Sequence, residues 1–424
     1  MRFTFELTPS ELQASCLRSS LINFMQNLLQ KSLRVAFFPD SYLEINGAAM
    51  TFRKFTDFVK KRGYPFLCFY AGEKTEKKID GNFTMQSLKH SPLSIPVDEG
   101  LKYDPLFNRH LKLIRQNLEE FQPDIIHLTG VNDVSITAAI LSHQMKIPLI
   151  GSWHTNLHEF AARRLDKMFR FLPESWRKSL SGLAERLILN GEILYYKIPK
   201  VVLAPNQELI DLIQKGSGRD AFLMTRGVDS DFFSPAKRTV NDGILRLGFV
   251  GRLRAEKNVG LLPKLEQSLL KLGKTNFKFL IVGEGNEREF LEQSLQNAEF
   301  TGFVTGDKLA QMYANMDVFV FPSETDTFGN VVQEANCSGV PAIVSNFGGP
   351  KFVIKEGETG FIAKSFDDFV KYTVELMDNS EKLATMKKAS RDFVISNSWD
   401  AVFDEVYQNY EKTIKLAAES EKIR

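Results

Sequence analysis

The chain contains 424 residues, of which 43% are apolar, so it is too long for one ordinary domain and can build two or three sizeable cores. The formal net charge of +2 leaves no strong excess of basic residues. This balance argues against a nucleic-acid-binding protein, in which basic residues normally cluster on one face.

Cysteine usage and the lack of long apolar runs predict the compartment. Cys16, Cys68 and Cys337 are far apart and match no metal-ligand spacing, so we expect no disulfide framework and a reducing environment. No apolar run reaches the roughly 18 residues of a membrane span, and the N-terminus lacks the apolar segment of a secretory signal. We expect a cytoplasmic protein, free or peripheral on the inner face of the membrane.

The first half of the chain alternates short apolar strands with helices. Residues 9–31 carry apolar side chains at helical spacing and predict an extra N-terminal amphipathic helix. A glycine loop containing Gly47 follows the first strand and leads into a helix that ends near residue 61. Strands are predicted at 34–38, 65–72, 121–130, 147–156 and 200–205. This alternation is typical of a parallel α/β sheet.

The pattern restarts after a polar linker at 234–243. Further strands are predicted at 244–253, 277–285, 318–323 and 341–345, again with helices between them. We therefore predict an α/β protein with two Rossmann-like domains, roughly 1–239 and 240–396, that face a cleft. Residues 397–424 contain Val402, Val406, Tyr410 and Ile414 at a spacing of four, which indicates a terminal helix.

The stretch from Val318 to Pro341 carries the strongest chemical signal. A buried strand breaks at Pro322, a polar turn follows, and Gly329-Asn330 opens a helix that carries Glu334. This arrangement places backbone N–H groups and a partial positive charge at the carboxyl end of a sheet, where anionic ligands bind. Carboxylates in the same place can accept hydrogen bonds from a sugar or ribose diol, so the stretch predicts a nucleotide-sugar pocket.

The segment PSETDTFGNVVQEA in this stretch resembles the E-x7-E signature of the retaining glycosyltransferases of family 4, or glycosyltransferase group 1, which have the GT-B fold. It is most similar to the branch of lipid-glycan mannosyl- and sulfoquinovosyl-transferases. The first acid is Asp326, where the general pattern has Glu, and the second, Glu334, matches. The resemblance implies that Glu334 holds the donor ribose and that Asp326 orients the sugar. It also implies that the terminal helix crosses back onto the first domain.

GFVGRLRAEKNVG, at 248–260, places two cations after a strand end. Such cations can neutralise a diphosphate without a metal. In the family that the segment resembles, the counterparts of Arg252 and Lys257 bind the donor diphosphate, and the counterpart of His154 faces the transferred sugar. Taken together, the motifs and the resemblance imply that His154, Arg252, Lys257 and Asp326 are catalytic residues. The predicted donor-binding residues are Gly47, Gly283, Phe303, Val304, Phe328, Gly329, Asn330, Val331 and Glu334.

We predict neither a metal site nor a cofactor. His154 and His158 are four residues apart but have no evident third ligand, and Asp229-Ser230-Asp231 lies in a segment that resembles the family's interdomain connection. The nucleotide sugar is a substrate, with a GDP- or UDP-linked hexose as donor and mannose favoured. The acceptor is expected to be a lipid-linked or oligosaccharide molecule. A GT-B epimerase and a non-catalytic nucleotide-sugar-binding protein remain alternatives.

The segment 163–200 has a basic and apolar composition. It contains nine Lys or Arg and four Asp or Glu, a net charge of +5, together with Phe169, Phe171, Trp176 and several leucines. A surface of this composition suits an anionic membrane face, and a solvated helix over the core is the alternative.

Overall fold

The computed structural model describes residues 32–44, 46–98, 101–169 and 171–422. The helix predicted at 9–31 lies outside the described residues. Two open parallel sheets with helices on both faces make up the body of the protein, and they confirm the predicted pair of Rossmann-like α/β units. The exact domain boundaries at residues 239 and 396 stay predictions.

The first sheet has eight strands in the order β10-β9-β8-β7-β1-β2-β4-β3, parallel except for the antiparallel pair β3–β4. Its central strands are fully buried apolar runs, as expected of a sheet covered on both faces. The strands are β1 (Val35–Phe38), β2 (Phe66–Gly72), β3 (Glu76–Asp80), β4 (Phe83–Lys89), β7 (Ile125–Leu128), β8 (Leu149–Ser152), β9 (Val201–Ala204) and β10 (Asp220–Leu223). A separate antiparallel pair consists of β5 (Ile95–Asp98) and β6 (Leu101–Tyr103).

The second sheet has six parallel strands in the order β13-β12-β11-β14-β15-β16. Its strands are β11 (Leu245–Val250), β12 (Phe277–Val282), β13 (Ala298–Gly302), β14 (Val318–Phe321), β15 (Ala342–Ser345) and β16 (Gly360–Ala363). The order in which strands are added to the sheet reverses between β11 and β14. The same reversal of strand order occurs between β1 and β7 in the first sheet. Ligands of open α/β sheets bind at the carboxyl ends of strands beside such reversals.

The helices cover both faces of the sheets. Those of the first half are α1 (Gly47–Arg62), α2 (Leu111–Phe121), α3 (Asp133–Met145), α4 (Leu157–Met168), α5 (Glu174–Tyr195) and α6 (Gln207–Ser217). Those of the second half are α7 (Leu261–Lys271), α8 (Arg288–Ser294), α9 (Gly306–Ala314), α10 (Asn330–Cys337), α11 (Phe366–Asp378), α12 (Ser380–Val394) and α13 (Trp399–Lys422). No helix in the described part of the chain is long and apolar enough to cross a membrane.

Helix α13 returns to the first sheet, as predicted. Val402, Phe403, Val406 and Tyr410 join the core that covers one face of that sheet. Phe403 packs against Phe55 of α1, with ring centroids 4.8 Å apart. The apolar stripe of the terminal helix is therefore buried against the first domain, although its sequence follows the second.

The sequence patterns predicted β1, β2, β7, β8, β9, β11, β12, β14 and β15 and missed the other strands. Those missed are the edge strands β3, β10, β13 and β16, strand β4 next to the edge, and the β5–β6 hairpin. Strand β3, for example, is exposed at every residue and reads EKKID, so it has no apolar run. Edge strands pair on one side only, and their pairing depends on the neighbouring strand rather than on their own apolar residues.

Candidate active site

The two predicted motifs meet through an ion pair at the carboxyl ends of β11 and β14. Nζ of Lys257 lies 2.7 Å from Oδ1 and 2.8 Å from Oδ2 of Asp326. Burial alone would raise the pKa of Asp326, but Lys257 and, more weakly, Arg252 lower it below its usual value. The carboxylate is therefore ionised at neutral pH, and the lysine already has an anionic partner before any ligand binds.

Arg252 lies on the same loop as Lys257 and is about one third exposed at its side chain. Its Nη2 is 3.8 Å from Oε1 of Glu256, which is a loose ion pair. The short helical turn Ala255–Lys257 follows, and Asn258 adopts a left-handed conformation at its end. Two cations and two carboxylates thus share the edge between β11 and β14, and a diphosphate placed there would compete with the carboxylates for the cations.

Helix α10 begins at the residue next to Gly329, whose φ of +102° is one that L side chains rarely adopt. A Cβ on Gly329 would also come within 3.1 Å of Pro350. Helix α10 begins at the carboxyl edge of the second sheet, nine residues after the end of β14. Gly47, at the start of α1 in the first domain, faces Asn330 directly, because a Cβ on Gly47 would lie 3.1 Å from Nδ2 of Asn330. Gly47 therefore allows the two domains to approach at this point.

Glu334 lies in the second turn of α10 and accepts a hydrogen bond of 2.7 Å from the hydroxyl of Tyr313. Burial raises the pKa of Glu334 to about 7, and the bond from Tyr313 offsets only part of that rise. Tyr313 is fully buried and fixes one carboxylate oxygen of Glu334, whereas Glu334 stays partly exposed. The carboxylate can therefore accept hydrogen bonds from a diol once it is ionised.

The ends of β12 and β13 form the other side of the cleft in the second domain. Gly283 has a φ of +138°, and a Cβ there would come within 1.9 Å of the carbonyl oxygen of Gly251, so no larger residue fits. Phe303 is 58% exposed and Val304 is partly exposed, directly after β13. Phe328 is buried and Val331 partly buried near the start of α10. These residues line the carboxyl edge on which the predicted donor site lies.

His154 lies deeper than the sequence suggested. Its side chain is almost fully buried, and both ring nitrogens have partners: Nε2 is 2.7 Å from Oγ of Ser152 and Nδ1 is 2.6 Å from Nη2 of Arg226. Its carbonyl oxygen accepts a hydrogen bond of 2.8 Å from Thr327 of the second domain. A ring nitrogen of His154 can therefore contact a sugar hydroxyl only by exchanging one of these bonds.

His158, the second histidine of the pair that is four residues apart, contacts a buried glutamate. Nδ1 of His158 is 2.7 Å from Oε2 of Glu192. Burial disfavours protonation of His158, but Glu192 prevails and raises the pKa above its usual value. Oδ1 of Asp229 accepts a hydrogen bond from the backbone of Phe232, as in an ordinary turn. No group of three or more potential metal ligands occurs among the residues that the structure describes.

The first domain contributes polar groups at its own strand reversal. Asp40 follows β1 and accepts a hydrogen bond of 3.0 Å from Oγ1 of Thr129, which follows β7. Burial raises the pKa of Asp40 to about 7. Nδ2 of Asn132 donates to the carbonyl of Asp40 over 3.1 Å. These groups lie at the carboxyl end of the first sheet, beside the reversal of strand order between β1 and β7.

The structure brings into the site several residues that none of the sequence motifs marks. Asn206 donates a 2.9 Å hydrogen bond to the carbonyl of Thr327, and Gln333 donates one of the same length to the carbonyl of Arg226. Arg226 lies in the RGVD segment and is only 3% exposed. Its place in that segment is the signal by which the sequence could have marked it. The other contacts leave no signal in the sequence, because their partners are remote along the chain.

Two family models together cover most of the chain. Residues 231–393 match the model for glycosyl transferases group 1, and residues 45–232 match that for glycosyltransferase family 4. The chain belongs to the group 1 glycosyltransferases of family 4. The resemblance seen in the E-x7-E-like motif is thereby confirmed, and the protein is a hexosyltransferase.

The curated relatives of this glycosyltransferase include mannosyltransferases. It is 29% identical over 399 residues to a GDP-mannose-dependent alpha-mannosyltransferase of Corynebacterium glutamicum, covering 91% of each chain. It is 27% identical over 396 residues to the sulfoquinovosyl transferase SQD2 of Arabidopsis thaliana, covering 88% of this chain and 72% of the relative.

Solved structures establish the GT-B fold of the glycosyltransferase. Sucrose-phosphate synthase from Thermosynechococcus elongatus superposes with a TM-score of 0.66 at 17% identity, over 89% of this chain and 98% of the other. HepE from Anabaena, in complex with UDP and glucose, superposes with a TM-score of 0.63 at 16% identity, over 89% and 99% of the two chains.

Proposed function

We propose that the protein transfers a hexose, with mannose favoured, from a nucleoside-diphosphate sugar to a lipid-linked or oligosaccharide acceptor with retention of configuration. The observation that carries the proposal is the pairing of Lys257 with Asp326 beside the start of α10. A cation for the diphosphate and a carboxylate for the sugar lie together at the carboxyl edge of the second sheet, and α10 begins four residues after Asp326.

The proposed mechanism needs no nucleophile from the enzyme. Arg252 and Lys257 stabilise negative charge as it develops on the departing diphosphate, which lowers the barrier because the stabilisation is greatest in the transition state. The acceptor hydroxyl attacks from the face that the diphosphate leaves, and a phosphate oxygen takes its proton. Asp326 and the backbone of Phe328 to Asn330 orient the sugar and phosphate. Closure of the two domains excludes water and limits hydrolysis.

The similarity to GDP-mannose-dependent enzymes supports GDP-mannose as the first donor to test, with UDP-hexoses next. The decisive experiment incubates the purified protein with a panel of GDP- and UDP-sugars and measures binding and slow hydrolysis. We expect one nucleotide sugar to bind and to be hydrolysed, with retention at the anomeric carbon. If no member of the panel binds, the proposed function is wrong.

A GT-B epimerase and a non-catalytic binding protein are the competing functions. An epimerase would convert the donor sugar without an acceptor, and the same panel would reveal a new nucleotide sugar rather than free sugar and nucleotide. A binding protein would hold the donor without turnover. The cations Arg252 and Lys257 and the carboxylate of Asp326 favour a glycosyltransferase over an epimerase and over a binding protein.

The reaction should not require a divalent metal. Arg252 and Lys257 provide the positive charge, and the described residues contain no cluster that could hold a metal ion. We expect kcat in EDTA to remain within about twofold of its value in magnesium. Complete loss of turnover in EDTA, restored by magnesium or manganese, would contradict this prediction.

Donor affinity should depend on pH through Glu334. Its pKa is about 7 without ligand, and the ribose diol donates hydrogen bonds to the ionised form. Donor binding should therefore weaken as the pH falls through 7, by about tenfold between pH 8 and pH 6. Calorimetry with the intact nucleotide sugar, whose diphosphate does not titrate in this range, measures the effect. The Glu334→Gln variant should lose this pH dependence, and an unchanged slope would assign it to another group.

We also propose that the acceptor is reached at an anionic membrane surface. Helix α5 exposes Trp176, Leu183 and Leu187, which are 68%, 52% and 62% exposed and share one side of the helix. Arg186, three residues after Leu183, lies beside this stripe, and the segment 163–200 carries a net charge of +5. A bilayer would bury the stripe while its headgroups attract the basic side chains.

Sedimentation with vesicles should show binding that increases with anionic lipid and weakens with salt. We expect Trp176→Ala/Leu187→Ala to bind vesicles at least about tenfold more weakly, because two exposed apolar side chains no longer insert. Ile79→Ala provides the matched control, since Ile79 is 69% exposed on β3. Equal binding of both variants, or no binding at low salt, would favour a soluble acceptor. The side chains of Arg163, Lys167 and Arg170, three of the nine basic residues of the segment 163–200, lie outside the described residues.

A further inference from the structure

Arg226 is a buried cation that no carboxylate neutralises among the described residues. It is 3% exposed, and Nη1 donates hydrogen bonds to the carbonyls of Met224 and Thr225 over 3.0 and 3.1 Å. Nη2 lies 2.6 Å from Nδ1 of His154, and the guanidinium carbon is 5.7 Å from the centre of the Phe328 ring. Burial lowers the pKa of Arg226 to about 10, so the group is still charged at neutral pH.

The contact with Arg226 determines which nitrogen of His154 carries hydrogen. A guanidinium can only donate hydrogen bonds, so Nδ1 of His154 must accept and has no hydrogen. A neutral imidazole then carries its hydrogen on Nε2, which donates to Oγ of Ser152 over 2.7 Å. The arrangement leaves His154 with a donor at Nε2 and no free lone pair on either nitrogen.

A second histidine continues the chain of hydrogen bonds into the core. Oγ of Ser152 is 3.0 Å from Nε2 of His127, and Nδ1 of His127 is 2.7 Å from the hydroxyl of Tyr410 on α13. His127, Ser152 and Tyr410 are fully buried. These hydrogen bonds hold Ser152 in place, so that its Oγ can accept the hydrogen bond from Nε2 of His154.

The charged surroundings of His154 oppose its protonation. Burial lowers its pKa well below the usual value, and the charge of Arg226 and the proximity of His127 lower it further. The ring of Phe52 packs edge-on against it, with centroids 4.8 Å apart, and contributes no charge. No acidic group contributes to this environment in the part of the chain that the structure describes.

We propose that Arg226 is a positioning residue that keeps His154 neutral with its hydrogen on Nε2. If a sugar hydroxyl replaces Ser152 at Nε2, His154 donates a hydrogen bond to it and cannot accept the proton of the acceptor. Arg226 also links the two sides of the cleft, because its carbonyl accepts the hydrogen bond of Gln333 on α10. The inference rests on the proposed function for its effect on transfer, but the hydrogen position can be measured without turnover.

The test begins with nuclear magnetic resonance of protein labelled with ¹⁵N at its six histidines, with His154 assigned through a His154→Gln variant. In the wild-type protein we expect an unprotonated Nδ1, a protonated Nε2 and no titration between about pH 5 and 8. Arg226→Met should let the hydrogen exchange between the nitrogens, so that their shifts converge. Arg226→Gln retains an amide donor without the charge and should preserve the wild-type pattern. This second variant keeps the test informative if Arg226→Met does not fold.

Kinetics on the same proteins separate positioning from simple structural support. Arg226→Met should lower kcat about 100-fold with a smaller change in KM for the donor, since misplacement of a positioned group has this scale. Arg226→Gln should recover most of the loss. Unchanged histidine shifts in Arg226→Met, or a titrating His154 in the wild-type protein, would overturn the inference. If the histidine shifts are as expected but the protein neither hydrolyses nor transfers a sugar, the inference about Arg226 is supported and the proposed function is refuted.

Discussion

Replacing Lys257 with alanine is expected to lower kcat by about two to three orders of magnitude, the scale of losing one preorganised stabiliser of a developing charge. Lys257 is paired with Asp326 at the edge where the diphosphate is proposed to bind. Steady-state kinetics with the donor identified in the panel measures the loss. Arg252→Ala should give a loss of the same order, and near wild-type turnover in both variants would defeat the diphosphate assignment.

The Lys257→Ala variant should also lose stability, which the sequence alone did not indicate. The side chains of Lys257 and Asp326 are only 13% and 24% exposed, so removing the lysine leaves a largely buried carboxylate without its partner. Breaking a buried pair in this way costs about 3 to 5 kcal/mol, and the partial exposure of Asp326 places the expected value below that range. Lys257→Ala/Asp326→Asn should regain part of the stability in thermal unfolding but none of the activity. Recovery of turnover in the double variant would show that the defect was in folding rather than in charge stabilisation.

Asp326→Asn is expected to lower kcat by about 100-fold, because it removes the charge that orients Lys257 and accepts hydrogen bonds from the sugar. Asp326→Glu should lose about tenfold or less, since the carboxylate remains and is displaced by one methylene. The pair separates the effect of charge from that of side-chain length.

Both Asp326 variants should be compared at saturating donor, so that weaker binding does not mask a change in turnover. Thermal unfolding provides the control, because an amide next to Lys257 still offers one hydrogen-bond acceptor. If the Asn variant matches the wild-type kcat, Asp326 is not the counterpart of the first acid of the E-x7-E signature.

The sequence alone determined the α/β architecture of two Rossmann-like units and the places in it where the predicted donor motifs lie. Buried parallel strands are short, continuous apolar runs, and β1, β11 and β14 stand out because both of their faces are covered. The donor motifs directly follow such strands, so a pattern local in the chain predicts their place in space. The glycines are visible for the same reason: at Gly283 the backbone conformation and the nearby carbonyl exclude a side chain.

Only the tertiary structure decided which of these groups are partners. Lys257 and Asp326 are 69 residues apart, and they meet because β11 and β14 are neighbours in the sheet. His127 and Tyr410 are 283 residues apart and are joined by the return of α13 to the first domain. Arg226 and His154 are 72 residues apart, and the folding of the first domain buries the guanidinium against the imidazole. Spacing along the chain shows which chemical groups are present, whereas strand order and helix packing determine which of them meet.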